Sequence, residues 1–482
     1  MKLTRNFAIF LGGILLLCLV NLLVTNDVAV IWNGPEAWRI WQMQSQEVEP
    51  NLFLWRLPGV IIFILSLVLF WFLGQKIFGK RSTLMGIVVL GTSLLIPNLS
   101  KQVTWDSWLL LFHLTGLLGL LLYLKQPKRQ WQLLFYVSLV PGIWLQPLSS
   151  LVTFALFSTA LYFLHPQGKR LLKLFPWGAL ALIFAGWYVA GQIDWSTKGY
   201  LIASFRQPFH KNLLYQLAGL LPFMGFVLAG LWEVFQKVRK REEFSLILSL
   251  WLVSALVGQS LLFSAGLALL VGKQLDAYFI RQYPYRSIVK TGAILHALLA
   301  FFGITFLLMG GFYTFKGVGF RAALAFGALY WMPSFIAIIG LYGMNRRFVL
   351  GGTITSAALA TLFFWLQLYP LVRNQLDWPG EAIAEILATA QKQDTLWVYR
   401  DEKVPFPAFV CYANQHFADV KLIGKEERLE SVRENENKRP VIIFLDVTEK
   451  DTFPEPSIRV AAWGSMGLQP KAYDVLLRNS DK

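Results

Sequence analysis

Apolar residues run in long blocks along this chain, and each block ends in a short polar or basic stretch. Phe7 to Thr25 holds no charged residue, and neither does Leu57 to Gly74, Thr291 to Tyr313 or Phe348 to Leu371. Each approaches the roughly 20 residues a helix needs to cross a hydrocarbon core. Ser82–Pro97, Trp108–Leu124, Trp131–Leu145, Leu148–Leu164, Leu174–Gly191, Leu213–Phe235, Phe244–Ala268 and Ala322–Tyr342 repeat the pattern. The pattern predicts a polytopic α-helical membrane protein of twelve to thirteen spans. The first block is followed by others and lacks a small-residue cleavage site, so it reads as a retained span rather than a signal peptide.

After Pro370 the pattern changes. Asp377-Trp378-Pro379-Gly380 marks a loop, Glu381–Gln391 and Glu426–Glu434 have helical character, and Thr395–Tyr399, Asp419–Ile423, Val441–Leu445 and Ala472–Leu477 read as strands. Residues 372–482 are therefore expected to form a small soluble α/β domain, with residues 1–371 as the membrane domain. At about 110 residues the tail is long enough for a core of its own.

Charge adds the topology. Lys2 and Arg5 precede the first block; Lys76, Lys80 and Arg81, then Lys125, Lys128 and Arg129, then Lys169, Arg170 and Lys173, then Lys237, Arg239, Lys240 and Arg241 fill alternate loops. The loops between them are poorer in lysine and arginine. This bias places the N-terminus in the cytoplasm. Arg281, Arg286 and Lys290, and two spans later Arg346 and Arg347, mark cytoplasmic loops as well. That requires one more crossing, short or broken, around Gly266–Ile280, and puts the tail outside the cytoplasm.

Composition excludes other classes. With 56% hydrophobic and 15% charged residues, a chain of 482 residues has too much apolar surface for a soluble domain. The net charge of +16 is spent on loop topology and implies no nucleic-acid partner. Cys18 and Cys411 lie in different parts of the chain and form no disulfide framework. No P-loop, dinucleotide fingerprint or His-x-x-x-His pair occurs, and His113 and His296 read as core histidines on apolar helices.

Asp106 stands at the mouth of a span, where a charge is costly unless it works or caps the helix. It closes the segment Ser100-Lys101-Gln102-Val103-Thr104-Trp105-Asp106, two spans after Arg56-Leu57-Pro58 and one after Phe78-Gly79-Lys80-Arg81. Further on, Lys273-Gln274-Leu275-Asp276-Ala277-Tyr278-Phe279 is followed by Pro284. This ordered set resembles the GT-C membrane glycosyltransferases, in particular the aminoarabinose-transferase-like and protein-mannosyltransferase-like enzymes. In the first loop Pro35-Glu36 stands where that family carries an acidic pair, and no lysine follows before Arg56.

The resemblance implies transfer of a sugar from a polyprenyl-phosphate carrier to a lipid, glycan or protein acceptor at the outer membrane face. It implies Asp106 and Glu36 as the acidic catalytic groups, and Lys273, Arg56, Tyr278 and Lys101 as the groups that bind the donor. It names no certain cofactor and leaves a divalent cation on the phosphate open. The altered first loop supports a second reading, a non-catalytic polyprenyl-lipid-binding or scaffold protein. A transporter would show internal repeats, and none is evident.

Overall fold

The computed structural model describes residues 52–368, apart from 103, 174–208 and 281, together with five strands between 395 and 477. The expected spans Phe7–Thr25 and Leu174–Gly191, the loop with Glu36, and the helical stretches of the tail lie outside the described residues.

Twelve α-helices are described before residue 369: α1 (Leu52–Phe78), α2 (Lys80–Gly91), the single turn α3 (Ile96–Ser100), α4 (Asp106–Lys125), α5 (Arg129–Leu145), α6 (Pro147–Leu164), α7 (Phe209–Ala218), α8 (Met224–Val238), α9 (Glu243–Val257), α10 (Leu262–Tyr278), α11 (Arg286–Tyr342) and α12 (Arg346–Phe363). Within these, six stretches are long and apolar enough to cross a bilayer: Arg56–Phe78, Asp106–Lys125, Pro147–Leu164, Leu221–Val238, Arg286–Met309 and Phe320–Tyr342. The protein is an integral membrane protein. Its outward faces carry Phe302, Phe306 and Phe163, as a lipid-embedded surface should.

The basic loops gather at one end of this bundle. Lys125 Nζ donates to the Lys76 carbonyl (2.9 Å), Arg170 donates to the Leu124 carbonyl (3.0 Å), and Glu243 lies 3.5 Å from His165. Asp276 faces both Arg81 and Arg346, at 3.6 Å each. An α-helix rises about 1.5 Å per residue, so the start of α4 at Asp106 lies a bilayer core away from this basic end.

The stretch around Gly266–Ile280, expected to be broken, is instead part of the regular helix α10. Glycine makes this possible. A Cβ on Gly272 would stand 2.4 Å from the Gly86 nitrogen, and one on Gly86 would stand 3.0 Å from the Leu269 Cα. With no side chains between them, the α2 and α10 backbones pack face to face, and nine residues of α10 between Leu262 and Leu275 belong to the buried apolar core.

α11 is one helical run of 57 residues that nevertheless doubles back. His296 Nε2 lies 2.7 Å from the Tyr330 hydroxyl, and a Cβ on Gly327 would meet Ile304 at 2.6 Å. The run therefore reverses between Ile304 and Gly327 and forms two antiparallel arms, each one span long. α12 starts with Asn345, whose side chain accepts from the Arg347 and Phe348 nitrogens (3.0 and 3.4 Å) and caps the helix. Leu213–Phe235, expected as one span, breaks at Gly219–Phe223 into α7, a 3-10 turn and α8.

In the tail, β1 (Thr395–Tyr399) pairs in parallel with β2 (Asp419–Ile423), and β5 (Pro470–Leu477) lies between β3 (Ile442–Asp446) and β4 (Ser457–Trp463), antiparallel to both. Apolar runs mark four of these strands in the sequence. The fifth, β4, contains Arg459 and is the less legible one.

Candidate active site

Two motifs distant in sequence meet at the Asp106 end. The first turns of α1 carry Arg56-Leu57-Pro58-Gly59, and Pro58, the seventh residue of the helix, lacks the N–H that would bond back to the carbonyl four residues earlier. One residue later, Gly59 lets the α1 backbone press against the end of α3: a Cβ at that position would lie 2.6 Å from the Ser100 carbonyl oxygen. Next in the chain after Ser100 comes Lys101. The contact therefore carries Arg56 and Lys101 to the same place.

Both cations are fully buried, and Ser100, Gln102 and Thr104 beside them are buried too. Burial, and then the positive charge of Arg56, holds the Lys101 ammonium down to about 7 from its ordinary value near 10.5. Two like charges pressed together out of water are costly. A negatively charged group beside them lowers that cost. The third element is Asp106, the first residue of α4, whose Oδ2 accepts a 2.6 Å hydrogen bond from the Thr104 hydroxyl. That bond fixes one carboxylate oxygen at the helix mouth, beside the half-exposed Trp105.

Below this end a buried polar network ties four helices. His113 on α4 lies 2.7 Å from the Ser150 hydroxyl and 2.8 Å from the Ser260 hydroxyl. Ser150 donates to the Gly142 carbonyl (2.7 Å), so it accepts from His113 Nε2–H. Ser260 accepts from the Leu262 nitrogen (3.2 Å), which leaves its hydroxyl proton for His113 Nδ1. A neutral imidazole with its proton on Nε2 satisfies the set. Gln216 extends the network, accepting from the Ser264 nitrogen (3.1 Å) and hydroxyl (2.9 Å). His113 is thus a structural residue, as its apolar helix predicts.

Lys273 and Tyr278 are not brought to Asp106. They lie in the second half of α10, toward the basic end. Lys273 Nζ stands 3.3 Å from Glu233 Oε1 and 4.2 Å above the Phe244 ring, and Tyr278 donates to the Leu341 carbonyl at 2.7 Å. Glu233 also pairs with Lys237 at 2.6 Å and accepts from Gln274. The reason is directional. α10 runs from the Ser260 network toward Arg81, and its eleventh residue after Leu262 is already about 16 Å along the axis. The lone acidic residue inside Leu213–Phe235 was the sequence mark of this pairing. Glu36 lies outside the described residues. Among the described residues, no three His, Cys, Asp or Glu side chains stand together as a metal site.

The sequence profile of the family described as dolichyl-phosphate-mannose-protein mannosyltransferase matches residues 38–190, which include Arg56, Lys101 and Asp106. The fold is similar to the crystal structure of ArnT from Cupriavidus metallidurans bound to undecaprenyl phosphate, with a TM-score of 0.63 at 12% identity over 97% of this chain and 98% of that one. The apo state of the same protein gives 0.62 at 12% identity over 98% of each chain. No curated protein matches by sequence. The chain therefore has the ArnT fold over nearly all of its length, and its site-bearing third, residues 38–190, matches the mannosyltransferase family profile.

Proposed function

We propose that this protein is a membrane glycosyltransferase that takes a sugar from a polyprenyl-phosphate donor. It delivers the sugar to a lipid, glycan or protein acceptor at the Asp106 end of the bundle, which is the outer face of the membrane. The observation that carries this reading is the burial of Arg56 and Lys101 together, one short turn of chain from Asp106. The matching structure of ArnT with undecaprenyl phosphate bound supports a lipid-phosphate ligand.

The donor phosphate sits against Arg56 and Lys101. The acceptor hydroxyl oxygen attacks the anomeric carbon, the bond from that carbon to the phosphate oxygen breaks, and the hydroxyl proton passes to a carboxylate. Asp106 is that base, with Glu36 as its first-loop partner. Polyprenyl phosphate leaves with its added negative charge, and two preorganised cations in a site shut off from water meet it as it develops. The first loop carries Pro35-Glu36, and this favours a second reading in which the same cations bind a polyprenyl phosphate without transfer.

Purified protein supplied with a radiolabelled polyprenyl-phosphate sugar and a membrane extract tests the reading. Transfer that disappears in Asp106→Ala and Lys101→Ala supports it. Binding of the donor with no transfer by the wild-type protein replaces it with the second reading.

A further inference from the structure

We propose that the start of α11, the start of α12 and the end of α10 form a binding site for the phosphate headgroup of an anionic phospholipid, with the acyl chains lying along the α11 hairpin. The site is at the basic end, separate from the Asp106 site.

Three cations from two chain segments gather there, two of them over aromatic rings. Lys290 Nζ lies 4.6 Å over the Tyr342 ring, and the Arg346 guanidinium lies 6.0 Å over the Phe279 ring. Arg286 donates through Nη2 to the Ile280 carbonyl (2.8 Å), while its buried Nε has no acceptor among the described residues. Tyr278, bonded to the Leu341 carbonyl, holds Phe279 and Tyr342 together. The carboxylate on hand is Asp276, and it is divided between Arg346 and Arg81 at 3.6 Å each. Among the described residues, cations outnumber carboxylates in this cluster. Two helix N-termini open at the same place and add to it.

Scattered interfacial cations would be the ordinary charge bias of membrane loops. The structure differs in what continues from this cluster. Starting at Tyr342 (50% exposed), the exposed residues Ile339, Phe335 and Met332 follow one face of the second arm; starting at Lys290, Ile294 and Leu298 follow the first. The spacing of three and four residues keeps each set on one side of its helix. A headgroup at the cations therefore has apolar surface for two acyl chains directly beneath it. This is why the ligand is a phospholipid rather than a free phosphate.

Native mass spectrometry of the full-length protein in detergent tests the site, with phosphatidylglycerol and phosphatidylcholine of equal chain length as probes. Retention of phosphatidylglycerol above phosphatidylcholine is expected. Each cation removed near a membrane surface weakens anionic-lipid binding about five-fold, so R286Q/K290Q should lose roughly twenty-fold. The exposed pair K128Q/R129Q should lose less than two-fold. Should the double variant fail to fold, K290Q alone, whose ammonium touches only a ring face, is expected to lose about five-fold. Equal losses in both pairs, no loss in either, or displacement of the lipid by millimolar inorganic phosphate would overturn the proposal.

Discussion

The two ends of the bundle treat buried charge in opposite ways. At the basic end, acids and bases answer each other: Glu233 lies between Lys237 and Lys273, and Asp276 between Arg81 and Arg346. At the other end Arg56 and Lys101 are both buried and repel each other enough to help hold the lysine near 7. Paired charges tie helices together. Like charges held together are eased by a negative group beside them, which is the property a phosphate site needs.

The sharpest way to break this comparison is to remove one group from each end. Asp106→Ala should cut sugar transfer by about 10²–10⁴-fold, the usual contribution of a general base. Lys273→Ala, at the paired end, should leave transfer within about two-fold while lowering the melting temperature. If Lys273→Ala loses as much transfer as Asp106→Ala, the two ends are not distinct.

Packing gives the next largest effect. Gly59→Ala places a methyl 2.6 Å from the Ser100 oxygen and must push α1 from α3. Overpacking of this kind costs about 1–3 kcal/mol, and here it should also separate Arg56 from Lys101 and weaken donor binding. A thermal melt and a binding isotherm for the labelled donor measure the two parts. Unchanged values in both would mean that the close approach is not needed.

His113→Ala should cost roughly 1–3 kcal/mol, because the Ser150 and Ser260 hydroxyls lose buried partners. Its effect belongs in thermal stability, not in the pH profile of transfer.

The smallest effect concerns Lys101. It is cationic below about 7 and neutral above, whereas the donor phosphodiester keeps one negative charge throughout. Donor affinity should therefore fall as pH rises from 6 to 8, by up to about ten-fold. Lys101→Arg should flatten that dependence, since arginine does not titrate there. A flat profile in the wild-type protein would remove Lys101 from the phosphate site.

Much of this was legible beforehand because the signals are local. An uncharged stretch of twenty residues must be a helix in lipid, whatever surrounds it, and alternating apolar runs marked four of the five described strands. Arg56, Lys101 and Asp106 were legible as motif residues for the same reason: they stand at helix ends, where a charge is conspicuous. That Lys273 and Tyr278 stand away from Asp106 was not legible, because sequence order does not say to which end of the bundle a helix position points. The break in Leu213–Phe235, the reversal inside α11 and the regularity of α10 were hidden as well. Each depends on contacts between segments far apart in the chain, such as Gly219 against Leu95, Ile304 against Gly327 or Gly272 against Gly86.

The sequence alone determined the solvent, the rough extent of several spans and the side on which basic loops collect, since hydropathy and charge act residue by residue. Only the tertiary structure decided which charges are neighbours. Helix packing at glycines sets which ends meet, and a side chain's energy in a membrane depends on the partner it finds there.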